Sequence, residues 1–301
     1  MLPPPQPGVL HACSGYPQVH AFEFAPSSPP SSSLVLIVGG LSDTLLSIPY
    51  LQRLAKGLGQ HSWGLAQATL RSAGGAWGGS SVKQDAQELA TIVRYFREQG
   101  RDRIVLMGFS TGTQDAISYI HLQRGDPASF PPLAGIILQA PVSDREIVEV
   151  ALPHILPQNN PQPADLDLSS YIPSAWSNEW PINSGITWQR YLSLVSKPTL
   201  DDINLEESED FFSSDLSDAR LENVFAPLSC PLLALLSGND SSYPDSVKAK
   251  LPELLERFKR ATPGGKWSPL SGIVEGASHD VSQEGSAEVL VQKVVDFVRG
   301  L

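Results

Sequence analysis

The feature that most limits how this chain can fold is a series of short, unbroken apolar runs separated by helical patterns. Leu34-Val35-Leu36-Ile37-Val38 is the first, and it ends in Gly39-Gly40. Residues 104–107, 133–138 and 231–236 repeat the type. A run without polar alternation has no face suited to water, so it fits a strand covered on both sides in a parallel sheet. Weaker strand signals lie at 19–24, 64–68 and 270–274. Helical patterns cover 47–57, 82–99, 113–123 and 245–260, and a last helix buries Val291, Val294, Val295 and Val298. The helix at 82–99 is the best marked. Val82, Ala86, Leu89, Val93 and Phe96 share one face, Ser81 and Gln84 have capping-box spacing, and Gly100 closes it. Strand–helix alternation of this kind predicts an α/β fold with a mostly parallel central sheet flanked by helices.

The rhythm breaks between residues 141 and 230. Nearly ninety residues between two strands is too long for an ordinary loop. The segment is rich in proline, carries an acidic run at 201–210, and holds Trp176, Trp180 and Trp188, half of the six tryptophans. It predicts an inserted cap subdomain at 141–230 on a core formed by 1–140 and 231–301. The tryptophans suit either a wide apolar pocket or the core of a small helical unit.

The same segment holds fifteen Asp and Glu against four Lys and Arg, and so carries the whole net charge of −11. Such a field excludes a nucleic-acid backbone as partner. It leaves two readings, a solvated acidic face or a surface that steers a cationic substrate. No apolar run reaches the roughly eighteen residues of a membrane span. Met1-Leu2-Pro3-Pro4-Pro5 lacks the basic start and apolar stretch of a secretory signal. Cys13 and Cys230 are too few for a disulfide framework and are not spaced for zinc. The expectation is a soluble cytoplasmic protein with no membrane partner; oligomeric state is not legible.

Chemistry concentrates at Gly108-Phe109-Ser110-Thr111-Gly112, a G-x-S-x-G pattern set between a buried strand and a helix. Flanking glycines allow a sharp turn that presents the Ser110 hydroxyl at the sheet edge. A serine hydroxyl needs a general base beside it. Of six histidines, only His279 lies beyond the acidic segment, in Gly276-Ala277-Ser278-His279-Asp280 after the last strand signal. His121, on the helix after the turn, suits a structural role. The base needs an orienting carboxylate. Asp240 directly follows a strand and is preferred to Asp245, which sits at a helix start, where Asp usually caps. An oxyanion needs preorganised N–H donors; the amides of Leu41, in the loop after the first central strand, and of Thr111 are the candidates.

These stretches resemble a family of fungal and plant α/β-hydrolases. The likeness rests on Leu106 through Asp115, on Val38-Gly39-Gly40-Leu41-Ser42-Asp43, on Gly78-Gly79-Ser80-Ser81 leading to Asp85, and on Gly276-Ala277-Ser278-His279. It covers nearly the whole chain, with the cap weakest. Phe109 departs from the pattern, since His is common before the nucleophile, and so alters packing at the turn. Known members include intracellular esterases of fusarinine-type siderophores. The resemblance therefore implies an α/β-hydrolase fold, triad roles for Ser110, Asp240 and His279, and a small-molecule ester substrate such as a ferric siderophore. No cofactor or protein-bound metal is implied, iron entering only inside the substrate. Two alternatives stay open: a generic carboxylesterase or lipase of small acyl esters, and a non-catalytic binding protein on the same fold.

Overall fold

Each long apolar run becomes a strand near the middle of one sheet. The computed structural model describes residues 5–16, 18–25, 30–157, 166–179 and 185–301. The chain runs β1 (Gly8–Ala12), β2 (His20–Phe24), β3 (Ser33–Val38), α1 (Leu51–Gly59), β4 (Trp63–Thr69), α2 (Val82–Glu98), β5 (Arg103–Phe109), α3 (Gly112–Gly125) and β6 (Gly135–Gln139). Helices α4 (Asp144–Ala151), α5 (Ser174–Ser177), α6 (Trp188–Val195) and α7 (Asp218–Phe225) precede β7 (Leu232–Ser237). Then follow α8 (Asp245–Lys248), α9 (Leu251–Ala261), β8 (Gly272–Val274) and α10 (Glu284–Arg299).

The eight strands lie in the order β1-β2-β4-β3-β5-β6-β7-β8. Pairing is parallel from β4 through β3 to β8, and antiparallel only where β1 and β2 extend one edge. Side chains alternate across the sheet. Leu34, Leu36 and Leu106 pack beneath α2, α3, α7 and α9. Val35, Ile37, Val105 and Met107 face α1 and α10. Both faces are therefore covered, and β3, β6 and β7 are buried at every residue.

Four local readings change. β1 is almost wholly exposed and has no apolar run to announce it; it exists through its pairing with β2. The helix expected from residue 47 starts at Leu51, because Asp43 and Gln67 hold the preceding turns through Ser47 Oγ and Leu46 N. The single helix expected over 245–260 is two, with Pro252 in the first turn of α9, where its missing N–H costs nothing. At α2, Ser81 caps the N–H of Gln84, but the Gln84 side chain bonds to Glu88 and does not complete the box.

The apolar residues between 141 and 230 fall into two groups. Val148, Ile155, Ile172, Ile186, Trp188, Tyr191, Leu194 and Val195 form a small core of their own that includes Trp77. Phe211, Phe212, Leu221, Val224 and Phe225 join the main core. Trp176 and Trp188 pack edge to face at 5.5 Å, and Trp188 meets Tyr191 at 5.7 Å. Trp180 lies outside the described residues.

The antiparallel edge is tied to the parallel sheet by one buried ion pair. Arg101, just before β5, donates to Glu23 on β2 at 2.6 Å, and His11 on β1 contacts the second Glu23 oxygen at 3.2 Å. Removing one partner of a buried pair leaves an uncompensated charge and typically costs about 3–5 kcal/mol. Arg101→Met is expected to lower stability by about that amount in a urea titration, while Arg53→Met, at an exposed pair with Glu284, changes it by less than about 1 kcal/mol.

Candidate active site

The turn between β5 and α3 is forced by close packing of backbone. Ser110 has φ +55°, a left-handed conformation that costs a non-glycine residue of order 1–3 kcal/mol. It holds because nothing else fits. A Cβ on Gly108 would meet the Gly112 carbonyl oxygen at 2.1 Å, and one on Gly112 would meet that of Val38 at 2.5 Å. The N–H of Ser110 donates to the Gln139 carbonyl at 3.0 Å, locking the turn to β6.

His279 comes from the loop after β8 and Asp240 from the loop after β7. Asn239 N–H to Ala277 O at 2.8 Å and Gly238 N–H to Val274 O at 3.0 Å clamp those loops together. The imidazole lies 2.8 Å from Ser110 Oγ through Nε2 and 2.7 Å from Asp240 Oδ2 through Nδ1. A carboxylate can only accept, so Nδ1 carries the proton and Nε2 is free to accept from the hydroxyl. Asp240 is fully buried, and its other oxygen accepts the Ser242 N–H at 2.8 Å. Asp245 is not part of this chain of hydrogen bonds; it is the exposed first residue of α8. Phe109 stacks obliquely on the His279 ring at 5.1 Å.

The loop after β3 approaches from the other side. Gly40 stands against the hydroxyl: a Cβ there would lie 2.6 Å from Ser110 Cβ and 3.0 Å from its Oγ. The Gly40 N–H is taken by the Asp43 carboxylate at 2.7 Å. Among the described residues, the N–H groups of Leu41 and Thr111 have no acceptor, and both residues border the same cavity. This set of groups can activate a hydroxyl and receive a negative oxygen.

Two supporting residues escaped the sequence reading. Gln139, wholly buried, donates to the His279 carbonyl at 3.3 Å and accepts from Tyr50 at 2.9 Å. Its signal was a polar residue ending a buried run. Asp43 was visible only as part of the loop motif. His121 is remote from the site and holds α3 to α7 through the Val224 carbonyl at 3.0 Å.

Behind the site lies a buried group of charges. Arg190 on α6 binds both Glu209 oxygens at 2.6 Å and also acts on Asp85, Asp115 and Asp144. Arg145 binds Asp210 at 2.7 Å. The end of the acidic run thus turns inward, whereas Asp201, Asp202, Glu206 and Glu207 face solvent. Gln114 links α3 to Asp144 at 3.0 Å. Burial pushes the Asp144 carboxyl up to about 7 and Asp85 up to about 6, and raises Asp115 and Glu209.

The sheet, its flanking helices and the serine-bearing turn are those of an α/β-hydrolase, and esterase relatives 30% and 31% identical over almost the full chain make it a carboxylic-ester hydrolase. It belongs to the family described as Protein of unknown function (DUF1749), whose pattern matches residues 1–299. It is similar to the fusarinine C esterase SidJ of Aspergillus fumigatus, with 31% identity over 347 aligned residues covering 98% of this chain and 96% of that one. Esterase AN6793 of Emericella nidulans is 30% identical, with 98% and 92% covered. Among solved structures, the siderophore hydrolase EstB from Aspergillus fumigatus superposes with a TM-score of 0.79 at 31% identity, covering 98% of both chains.

Two outcomes follow. Gly40→Ala should fold but reduce kcat/KM for an aryl ester by up to about 100-fold, since it displaces the hydroxyl by a sizeable fraction of an ångström. The raised carboxyls bind more protons in the folded than in the unfolded chain, so their stabilisation is full below about pH 4 and is lost as pH rises through 6 and 7. His121, pushed down to about 4 by burial, opposes this only below about 6.5, where the unfolded imidazole titrates. The melting midpoint should therefore fall between pH 6.5 and 8, and Asp144→Asn should flatten that fall; a midpoint rising over this interval contradicts the assignment.

Proposed function

We propose that Ser110 is the nucleophile, His279 the general base and Asp240 the orienting carboxylate of this esterase, with the Leu41 and Thr111 amides as oxyanion donors. The observation that carries the reading is the unbroken hydrogen-bonded sequence from buried Asp240 through His279 to a Ser110 hydroxyl held on a left-handed turn. As Ser110 attacks the ester carbonyl, its proton passes to His279 Nε2, and Asp240 stabilises the imidazolium. The carbonyl oxygen becomes an anion that the two amides meet without reorganisation. The proton then goes to the leaving alcohol, and a water activated by His279 releases the acid from the acyl-enzyme.

The substrate proposed is a fusarinine-type siderophore, hydrolysed so that its iron can be released. Support comes from similarity over almost the full chain to a fusarinine C esterase and a siderophore hydrolase. We further propose that residues 141–230 act as a cap that shapes the substrate site, since Arg190 from this segment borders the cavity beside the Leu41 loop. Action in the cytoplasm fits two cysteines that are both free; among the described residues no helix is long and apolar enough to cross a membrane.

Ser110→Ala and His279→Ala should each lose turnover of p-nitrophenyl butyrate while keeping the wild-type circular dichroism spectrum. Asp240→Asn should lower kcat by about three to four orders of magnitude, because the amide favours the wrong tautomer. A fluorophosphonate should label wild type but not Ser110→Ala. Ordinary activity in either alanine variant refutes the roles. Mass spectrometry of products from ferric fusarinine C and its triacetylated form tests the substrate; an enzyme that cleaves only the aryl ester is not a siderophore esterase.

A further inference from the structure

We propose that Asp43 is a positioning residue for ester hydrolysis: its carboxylate fixes the loop after β3 so that the Leu41 amide stays free for the oxyanion. This role rests on the esterase reading above, since an oxyanion forms only if Ser110 attacks.

Two hydrogen bonds between Gly40 and Asp43 set the planes of successive peptides. The Gly40 N–H donates to Asp43 Oδ2 at 2.7 Å, and the Asp43 N–H donates to the Gly40 carbonyl at 3.1 Å. The first holds the peptide between Gly39 and Gly40, the second the peptide between Gly40 and Leu41. A trans peptide is planar, with its N–H opposite its carbonyl, so the Leu41 N–H points away from the bond to Asp43. It has no acceptor among the described residues, and Leu41 borders the cavity it shares with Thr111. Gly40 is the residue packed on Ser110, yet its own N–H is committed to a carboxylate, and such charge-assisted bonds are the strong ones. The loop therefore offers Leu41, not Gly40, as donor.

This loop would not keep its shape unaided. Ser42 has φ +63° and Leu46 φ +68°. A positive φ at the third place of a turn is the type II arrangement, where glycine is usual, so a serine there is strained and must be held by its surroundings. Asp43 supplies that hold. Its Oδ1 accepts from Ser47 Oγ at 2.7 Å, and its carbonyl accepts the Gly74 N–H at 3.1 Å. Gln67 on β4 secures the far end through Leu46 N at 2.9 Å and the Thr44 carbonyl at 3.0 Å. Gly39 makes room for the arrangement, since a Cβ there would lie 2.6 Å from Asp43 Cβ.

Electrostatics separates the two properties of the side chain. A negative carboxylate in the oxyanion loop repels a forming anion, so its charge does not help the transition state. What serves catalysis is the acceptor that orients the loop.

The test compares Asp43→Ala with Asp43→Asn, whose amide oxygen can still accept from Gly40 and whose NH2 can donate to Ser47 Oγ. Active sites are counted in each protein by fluorophosphonate titrated to completion, so unfolded chains drop out of kcat. Asp43→Ala should lower kcat for p-nitrophenyl butyrate by about 100-fold or more, the effect of one lost oxyanion donor, with KM within about threefold of wild type. The Ki of an aryl trifluoromethyl ketone, whose adduct with Ser110 carries an oxyanion, should rise by a similar factor. The acid limb of the pH profile of kcat/KM should stay in place, because Asp240 and His279 are untouched. Asp43→Asn should recover kcat to within about tenfold of wild type. If Asp43→Ala does not fold, Ser47→Ala, which frees one carboxylate oxygen, takes its place, with a loss of about fivefold in both kcat and ketone affinity. Wild-type kcat in the alanine variant, a fallen kcat with an unmoved ketone Ki, a displaced acid limb, or Asp43→Asn slowed as far as a lost donor requires overturns the proposal. Wild type that neither hydrolyses the ester nor labels with the fluorophosphonate sinks the esterase roles instead.

Discussion

At Ser110 three stretches of backbone press together so closely that no side-chain carbon fits between them, and the rest of the site follows from that contact. Gly108 lies on Gly112, Gly112 lies on Val38 and Gly39, and Gly40 lies on Ser110 itself. The strained φ of the serine is the consequence, maintained by the packing of β3 against β5 and by the bond to Gln139 on β6. Because the strain is carried by neighbouring strands of a wholly buried sheet, the hydroxyl has little freedom to leave its place between His279 and the Gly39–Leu41 loop.

The loops that bring Asp240 and His279 are held by a second set of constraints on the same sheet edge. β7 and β8 end side by side, so backbone bonds between residues 238–239 and 274–277 fix the spacing of carboxylate and imidazole before any side chain is considered. Gln139 connects the two halves: its carbonyl accepts from Ser110 and its side chain donates to the His279 carbonyl. One buried residue thus links the turn at Ser110 to the loop that carries His279.

Buried charge performs a different task. Arg190 and Glu209 come from the segment after α4, Asp85 opens α2, and Asp115 belongs to the first turn of α3. Arg190 attracts all three carboxyls and so ties α6 to α2 and α3 beside the Gly39–Leu41 loop, together with the Thr187 N–H bond to the Gly78 carbonyl at 2.9 Å. Three of the four Lys and Arg of that segment, Arg145, Arg190 and Arg220, are buried against acids or carbonyls. Ten of the segment's acids stay exposed, so withdrawing these cations into the interior leaves its surface acidic.

The parallel sheet was legible because strands buried on both faces must be continuously apolar, and few other elements allow that. Ser110 and Asp240 could be singled out because each follows the end of such a strand, and His279 because it follows the last strand signal in a loop of small residues. What the sequence could not supply was anything set by distance through space. β1 carries no pattern of its own, Pro252 divides a helix whose periodicity runs on, and the roles of Gln139 and Asp43 depend on partners far away in the chain. The same holds for the Asp85–Asp115–Arg190 group, since one-dimensional charge counts do not say which carboxylates meet an arginine in the dark of the core and which meet water. Patterning, a local property, determined the elements and their order; desolvation and close packing, properties of the assembled chain, decided which polar groups face one another.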